Sequence, residues 1–149
     1  MVLERNVEFN IYVRPACLPE ELSNFDLVIA TGWGRVEWGG LTSNELQKVT
    51  LQTFTYEECN QTYRYDINRR LTNGIDDNTQ LCCGSKSEAK DTCQGDSGGP
   101  IQIVHKTIHC SYIIVGVTSF GKYCGAINIP GVYTRVSTYK PWIESIIWP

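Results

Sequence analysis

The sequence has no excess of basic residues and no long apolar run, and both absences narrow its range of functions. Its 13 basic side chains are outnumbered by 16 acidic ones, so it lacks the positive footprint that binds nucleic acid. Its longer apolar runs, such as Tyr112 to Val117, fall far short of the roughly 20 residues that a membrane-spanning helix requires. We therefore expect neither nucleic acid nor membrane among its partners.

A secretory leader is also lacking at residues 1–8, which contain no basic head, apolar core or small-residue cleavage site. Seven cysteines in 149 residues nevertheless indicate an oxidising compartment, where disulfides persist. Because the count is odd, at least one thiol stays free or pairs outside this chain. We therefore expect a secreted, extracellular protein with further polypeptide upstream.

What the chain does contain is a series of short segments rich in β-branched and aromatic residues, separated by Gly, Asn, Asp and Pro. This pattern, without repeats or a linker, predicts an all-β unit, and its even spacing is typical of a barrel or sandwich. The predicted strands run over Leu27 to Val36, Gln47 to Phe54, Pro100 to His105, Ser111 to Phe120 and Gly131 to Val136.

Two helices are predicted in addition. The first begins where Thr55 can cap it and Glu58 can reach back to the Thr55 amide. The second is C-terminal, with Ser137 or Thr138 as its cap and Pro141 in its tolerant first turn. Its apolar residues recur at helical spacing, which predicts that they dock onto the barrel. They are Tyr139, Trp142, Ile143, Ile146 and Ile147.

The densest chemical signal is the run from Asp91 to Pro100, which reads DTCQGDSGGP. Its glycines permit backbone shapes in which successive amides point at one spot, as in an oxyanion hole. The plain alternative is an acidic turn. The whole string is too specific for that, and it indicates that Ser97 is a nucleophile.

Histidine is scarce, and this matters because a serine nucleophile needs an adjacent base that is itself oriented by a carboxylate. The two histidines, His105 and His109, both follow Ser97, and no aspartate follows it. Gly95 to Gly99 also satisfies G-x-S-x-G, but an α/β-hydrolase requires a helix after the serine, then an acid, then a histidine. Here a β-rich run follows, and Glu144 comes after both histidines. The base is therefore expected outside this chain.

Three further motifs accompany the serine loop: RPACLP at 14–19, TGWG at 31–34 and PGVYT at 130–134. Together these motifs resemble the chymotrypsin-like family of serine proteases, over almost the whole chain and in the right order. The resemblance implies the C-terminal six-stranded antiparallel β-barrel of that double-barrel fold, with a short intermediate helix, a C-terminal α-helix and the N-terminal barrel largely absent. It divides the chain into an inter-barrel connection at 1–26, the barrel at 27–136 and the helix at 137–149.

The resemblance also assigns roles at the serine loop. It makes Ser97 the acylating nucleophile and the amides of Gly95 and Ser97 the oxyanion hole. Asp96 matches the aspartate that pairs with the N-terminal ammonium freed by zymogen cleavage, the alternative being a loop-surface acid. The family's catalytic histidine and aspartate lie in the missing first half.

Substrate recognition is implied by the same resemblance. Asp91 stands at the base of the primary specificity pocket and would pair with an Arg or Lys side chain; taken alone, it would be a solvated charge among neighbouring ones. Gly121 and Gly131 look like the open pocket walls. The segment Ser119, Phe120 and Gly121 resembles the edge that pairs with the substrate backbone, Phe120 replacing a more common tryptophan. Tyr133 is expected in the core behind the pocket.

Cysteine positions refine the resemblance. Cys59–Cys82 and Cys93–Cys124 match two bridges of the family, and Cys17 matches the half-cystine that tethers a prosegment outside this chain. Val28 and Ile103 occupy both ends of another common bridge, and this paired absence resembles the arthropod clip-domain proteases.

Cys83 and Cys110 have no implied partner, and the choice between a mutual bridge and two thiols stays open. With His105 and His109 they suggest a zinc site only weakly, because metal-type spacing is lacking; the histidines are expected on an exposed hairpin. Asn60 begins a glycosylation sequon. No cofactor or metal is implied.

Two functions follow from this reading. In the first, the chain is part of a secreted trypsin-like endopeptidase that cleaves after Arg or Lys through an acyl-enzyme and is inactive alone. Its partners would be a protein substrate, the missing N-terminal barrel and prosegment, and serpin-type inhibitors. In the second, it is a truncated, non-catalytic homologue that binds proteins through the retained pocket.

Overall fold

The computed structural model of the chain describes residues 3–20, 25–66, 71–108 and 111–148. Six antiparallel strands close into a barrel in the order β1-β2-β3-β6-β5-β4, which confirms the predicted fold. The strands are β1 Leu27–Gly32, β2 Gln47–Thr53, β3 Gln80–Gly84, β4 Pro100–Val104, β5 Tyr112–Phe120 and β6 Gly131–Arg135. None of the described helices is both long and apolar enough to span a membrane.

All five predicted strands are present in shortened form, and β3 was missed. The first strand ends at Gly32 instead of Val36, because the next amides leave the ladder: that of Arg35 donates to the carbonyl of Gln94 at 2.8 Å. Strand β3 reads QLCCG and contains no β-branched residue, so its sequence carries little strand signal. Its pairing with β2 and β6 makes it a strand.

The barrel interior is filled from every strand. Alternate side chains point inward, since successive residues of a strand face opposite sides. Val28 belongs to this core and Ile103 packs against it, so apolar side chains occupy both positions of the family bridge that this chain was predicted to lack. The buried core residues are Val28, Ala30, Leu51, Leu81, Cys83, Ile101, Val115 and Tyr133.

Helix α1, Tyr56–Tyr63, begins as the sequence predicts. The Thr55 hydroxyl accepts a hydrogen bond from the Glu58 amide at 3.2 Å, and the Glu58 carboxylate accepts one from the Thr55 amide at 2.9 Å. Lys86 lies 2.7 Å from the same carboxylate, and this ion pair lowers the pKa of Glu58. The buried Cys59 forms a disulfide with Cys82, which ties α1 to β3.

The predicted start of the C-terminal helix was wrong. Helix α2, Val136–Ile147, continues directly from β6 with Arg135 as its N-cap residue, and Pro141 lies inside it rather than in its first turn. Thr138 does not cap it, because its hydroxyl donates across to the carbonyl of Asn78. Arg135 is held by the Asp77 carboxylate at 3.2 Å, which fixes the junction.

The predicted docking of the α2 apolar stripe was also wrong in large part. Val136 is the buried residue of the helix, and Ile143 is half-buried. The remaining stripe residues are exposed, and the main contact of the helix with the described part of the barrel runs along β5. They are Tyr139, Trp142, Ile146 and Ile147.

The other cysteines differ in environment. A second disulfide joins Cys93 to Cys124, so both pairings implied by the resemblance are present. Cys17 and Cys83 are free thiols, the first half-buried and the second in the barrel core. Cys110 and His109 lie outside the described residues, and the prediction of an external partner for Cys17 stays a prediction.

Candidate active site

Ser97 lies on the loop that leads into β4, exposed at the mouth of a cavity of about 170 Å³. Asp91, six residues before Ser97 in the chain, lines the same cavity. The substrate-binding residues predicted from the sequence line it too, so the fold brings together groups from three segments. They are Ser119, Phe120, Gly121 and Gly131.

Two glycines of the serine loop adopt backbone conformations that other residues rarely adopt. Gly95 and Gly98 have φ angles of 101° and 81°, a left-handed region that side chains with a Cβ rarely adopt. The Gly98 amide donates to the carbonyl of Thr118 at 2.9 Å, which fixes the loop to β5. The amides of Gly95 and Ser97 have no acceptor among the described residues, so both are free to donate to a bound oxygen.

The side chain of Asp96 turns inward beneath the loop. Its two carboxylate oxygens accept hydrogen bonds from the amides of Gly34 and Cys93, each at 2.8 Å. A Cβ on Gly32 or Gly34 would lie 2.0 or 2.5 Å from an Asp96 oxygen, so both positions require glycine. The carboxylate lines a second cavity of about 200 Å³ beside the first.

Asp91 combines a fixed position with an unfavourable environment for its charge. The Thr92 amide donates to its carboxylate at 2.8 Å. The effect of burial outweighs that of this hydrogen bond, and it raises the pKa of Asp91 to about 7 because the ionised form loses hydration. A cation from a ligand would relieve this cost by pairing with the carboxylate.

The fully buried Tyr133 lies next to the cavity lining, because its hydroxyl is 2.8 Å from that of Thr92, which lines the cavity. Burial also raises the pKa of Tyr133, so this hydroxyl stays protonated. Tyr133 therefore belongs to the core behind the pocket, as the resemblance implied.

Two glycines keep the cavity open. A Cβ on Gly121 would lie 3.7 Å from the Cα of Gly131, and a Cβ on Gly131 would lie 3.6 Å from a carboxylate oxygen of Asp91. Side chains at either position would project into the space between the walls. Their absence leaves the space between the two walls free of side chains.

One edge of β5 is unpaired beside the serine. Strand β4 pairs with β5 only as far as Pro100 opposite Val117, and β6 covers the opposite edge through Phe120 and Val132. Past Thr118, no described strand covers the edge that faces Ser97. An extended peptide could therefore add to the sheet there.

Histidine does not complete the site within the described residues. His105 lies beyond the end of β4, where its Nδ1 accepts hydrogen bonds from the amides of Thr107 and Ile108, and it does not line the cavity. No described residue thus supplies an imidazole base to Ser97.

Trp38, Lys122 and Tyr123 are among the cavity-lining residues that sequence reasoning did not identify. Trp38 stands beside Gly39 and Gly40, and this aromatic residue in a glycine turn was the only available signal for it. Lys122 and Tyr123 directly follow the predicted edge segment, so their position in the sequence could have indicated the pocket rim.

Comparisons with known proteins agree with this geometry. A family model described as Trypsin matches residues 1–143. The chain is 48% identical to serine protease snk of Drosophila melanogaster over 97% of the chain and 33% of that protein. It is 40% identical to the clotting factor G beta subunit of Tachypleus tridentatus over 98% of the chain and 48% of that protein.

A third relative, phenoloxidase-activating factor 1 of Holotrichia diomphalia, is 37% identical over 99% of the chain and 38% of its own length. The chain therefore spans between a third and a half of the length of these curated relatives.

Proposed function

The chain belongs to the trypsin family of serine proteases, and from that premise we propose that it is the nucleophile-bearing half of an extracellular endopeptidase that cleaves after arginine or lysine. The observation that carries this proposal is that Ser97 and Asp91 line one cavity. A substrate cation paired with the acid at one end would leave its scissile carbonyl near the hydroxyl at the other.

Specificity for a basic side chain is supported by the charge and shape of the cavity. The ionised form of the partly buried Asp91 carboxylate is stabilised by a nearby cation. A guanidinium is always charged and can bind the carboxylate with two parallel hydrogen bonds. Gly121 and Gly131 leave the space between the two walls clear for the long stem of such a side chain.

The reaction proposed for the whole protein is acyl transfer. The Ser97 oxygen attacks the scissile carbonyl carbon while its proton passes to a base, and the carbonyl oxygen becomes an anion held by the amides of Gly95 and Ser97. Collapse expels the amine, which takes up the proton, and leaves an acyl-enzyme that water hydrolyses by the same steps. The base and its orienting acid are proposed to come from polypeptide outside this chain.

Asp96 supports a role in activation. Its inward carboxylate lines the second cavity, where a new N-terminal ammonium could pair with it. Such an ion pair would hold the serine loop in place through the hydrogen bond from the Cys93 amide.

The proposed domain organisation is a connection at 1–26, a barrel at 27–136 and a helix at 137–149. The exposed apolar residues of α2, including Trp142 and Ile146, support a covering surface from an N-terminal barrel. The half-buried free thiol of Cys17 supports a tether to a prosegment of the clip-domain type.

The proposal is tested by binding of 4-aminobenzamidine, an aromatic amidine whose fluorescence increases when it is bound and shielded from water. The chain is expected to bind it, and Asp91→Asn is expected to weaken binding by about a hundredfold, the scale of a lost buried charge pair. Thermal unfolding checks that both proteins are folded. A folded chain that does not bind the amidine would overturn the proposal.

The need for an external base is tested with a fluorophosphonate probe. The chain alone is expected to show no detectable labelling of Ser97, and Ser97→Ala sets the background. Vigorous labelling of Ser97 in the isolated chain would contradict the assignment of the base to other polypeptide.

A further inference from the structure

The mouth of the cavity carries two exposed aromatic rings that the proposed reaction does not use. The rings of Trp38 and Tyr123 meet edge to face, with centroids 5.4 Å apart and planes at 64°. Both residues line the cavity that holds Asp91 and Ser97. Their exposed fractions are 57% and 60%, so the pair presents a broad apolar surface at the rim.

The backbone under Trp38 is held by a tight turn. The Gly40 amide donates to the carbonyl of Glu37 at 3.0 Å, and Gly39 has a φ of 74° that favours glycine. The Arg35 amide donates to the carbonyl of Gln94 at 2.8 Å, which joins this turn to the serine loop. The position of Trp38 is thus tied to the active site.

Tyr123 is anchored from the other side. It precedes Cys124, whose disulfide to Cys93 links the rim to the loop that carries Ser97. The two rings therefore belong to segments that are each joined to the same loop, and each ring restricts the other through their edge-to-face contact.

The path of a substrate leads over this pair. An extended peptide added to the open edge at Ser119 to Gly121 would alternate its side chains between two faces. The residue before the scissile bond inserts into the cavity, so the side chain two residues earlier lies on the same face. The side chain of that third residue is therefore turned to the same side as the cavity, whose lining includes Trp38 and Tyr123.

We propose that Trp38 and Tyr123 form a subsite that selects an aromatic side chain at the third residue before the scissile bond, an inference that rests on the proposed function. A third ring can pack edge to face on the exposed pair, the arrangement that aromatic side chains favour.

Charge at the rim does not compete with this preference. Lys122 also lines the cavity, but its amino group lies 2.6 Å from the Asp66 carboxylate and donates to the carbonyl of Thr62 at 2.8 Å. Its charge is compensated, so an acidic side chain in the substrate gains little from it.

The test compares two non-covalent ligands that share one amidine group, N-acetyl-Phe-Gly-4-amidinobenzylamide and N-acetyl-Gly-Gly-4-amidinobenzylamide. Each is titrated against the chain by displacement of 4-aminobenzamidine. The phenylalanine ligand is expected to bind about fivefold to tenfold more tightly, as one added aromatic contact allows.

The variants Trp38→Ala and Tyr123→Ala are each expected to abolish this preference, measured as the ratio of the two ligand affinities within one variant after the 4-aminobenzamidine constant of that variant has been determined. Tyr123→Phe retains the ring and should retain the preference. Trp142→Ala removes a similarly exposed tryptophan that does not line the cavity, and it is the matched control. Circular dichroism melting of each variant checks its fold.

Four results would overturn the inference. The wild type could bind 4-aminobenzamidine without preferring phenylalanine, which would leave the proposed function intact. Both alanine variants could keep the preference, or they could weaken both ligands equally, which would indicate a role only in loop structure. A folded wild type that binds no amidine would refute the proposed function, and this inference with it.

Discussion

The carboxylate of Asp96 accepts a hydrogen bond of 2.8 Å from the amide of Gly34, which stands 62 residues earlier in the chain. This bond joins the segment just after β1 to the loop that carries Ser97. The serine loop is therefore held by a hydrogen bond from a segment that is distant from it along the chain.

The first prediction concerns this joint. Gly34→Ala would place a Cβ 2.5 Å from the Asp96 carboxylate, which must then move. We expect a loss of about 2 to 3 kcal/mol in the free energy of unfolding, the cost of overpacking a tight site. Urea denaturation measures it.

Gly39→Ala is the control for Gly34→Ala. A Cβ there meets nothing within 4 Å, and only its left-handed backbone opposes alanine, at a cost of about 1 kcal/mol. Equal losses in the two variants would show that the Asp96 contact is not the cause.

The second prediction concerns pH. Burial raises the pKa of Asp91 to about 7, and an amidine must bind the ionised carboxylate. Affinity for 4-aminobenzamidine is therefore expected to fall as the pH drops below 7, by about tenfold per unit well below that value. The dissociation constant measured from pH 5 to 9 gives this profile, and the weak binding of Asp91→Asn should be flat across it.

The same raised pKa gives folding stability a pH dependence opposite to that of amidine affinity. Between the ordinary value of 3.8 and about 7, the native Asp91 holds a proton that the unfolded chain has released. The contribution of Asp91 to stability therefore decreases as the pH rises through that window. Unfolding midpoints of the wild type relative to Asp91→Asn should show this trend, and a trend of the opposite sign would contradict it.

A third prediction concerns the buried thiol. Cys83 is 0% exposed, and burial raises its pKa to about 12, so its reactive thiolate is absent at neutral pH. Iodoacetamide should label Cys83 only after unfolding in guanidinium, as mapped by mass spectrometry of the peptides. The half-buried Cys17 should label earlier wherever it is reduced. Native labelling of Cys83 would refute its place in the core.

The fourth prediction concerns the cap of α1. Thr55→Ala removes the hydroxyl that accepts a hydrogen bond from the Glu58 amide. The free energy of unfolding should therefore fall by about 1 kcal/mol. Thr55→Ser keeps a hydroxyl in place and should recover most of that loss. Equal destabilisation by both substitutions, measured in urea, would argue against the cap as the cause.

Local sequence was sufficient wherever neighbouring residues act on one another. The capping box of Thr55 and Glu58 was predicted correctly because both partners lie within one turn. The glycines around Ser97 likewise indicated the loop shape, since left-handed backbone at Gly95 and Gly98 depends on the residue itself. The barrel and both disulfides, in contrast, followed from the family resemblance.

Long-range pairing explains what the sequence could not predict. Strand β3 is a strand because of β2 and β6, and α2 begins early because Arg135 and Thr138 are held by residues near position 78. These contacts are set by the tertiary structure of the closed barrel, and local propensity does not predict them.

The sequence by itself therefore determined the serine loop, the acid at position 91 and the family to which the chain belongs, because each depends on short contiguous motifs. Only the tertiary structure decided that Trp38 meets Tyr123 and that Asp96 turns beneath its own loop. Those contacts join distant segments, and closure of the barrel is the physical event that brings them together.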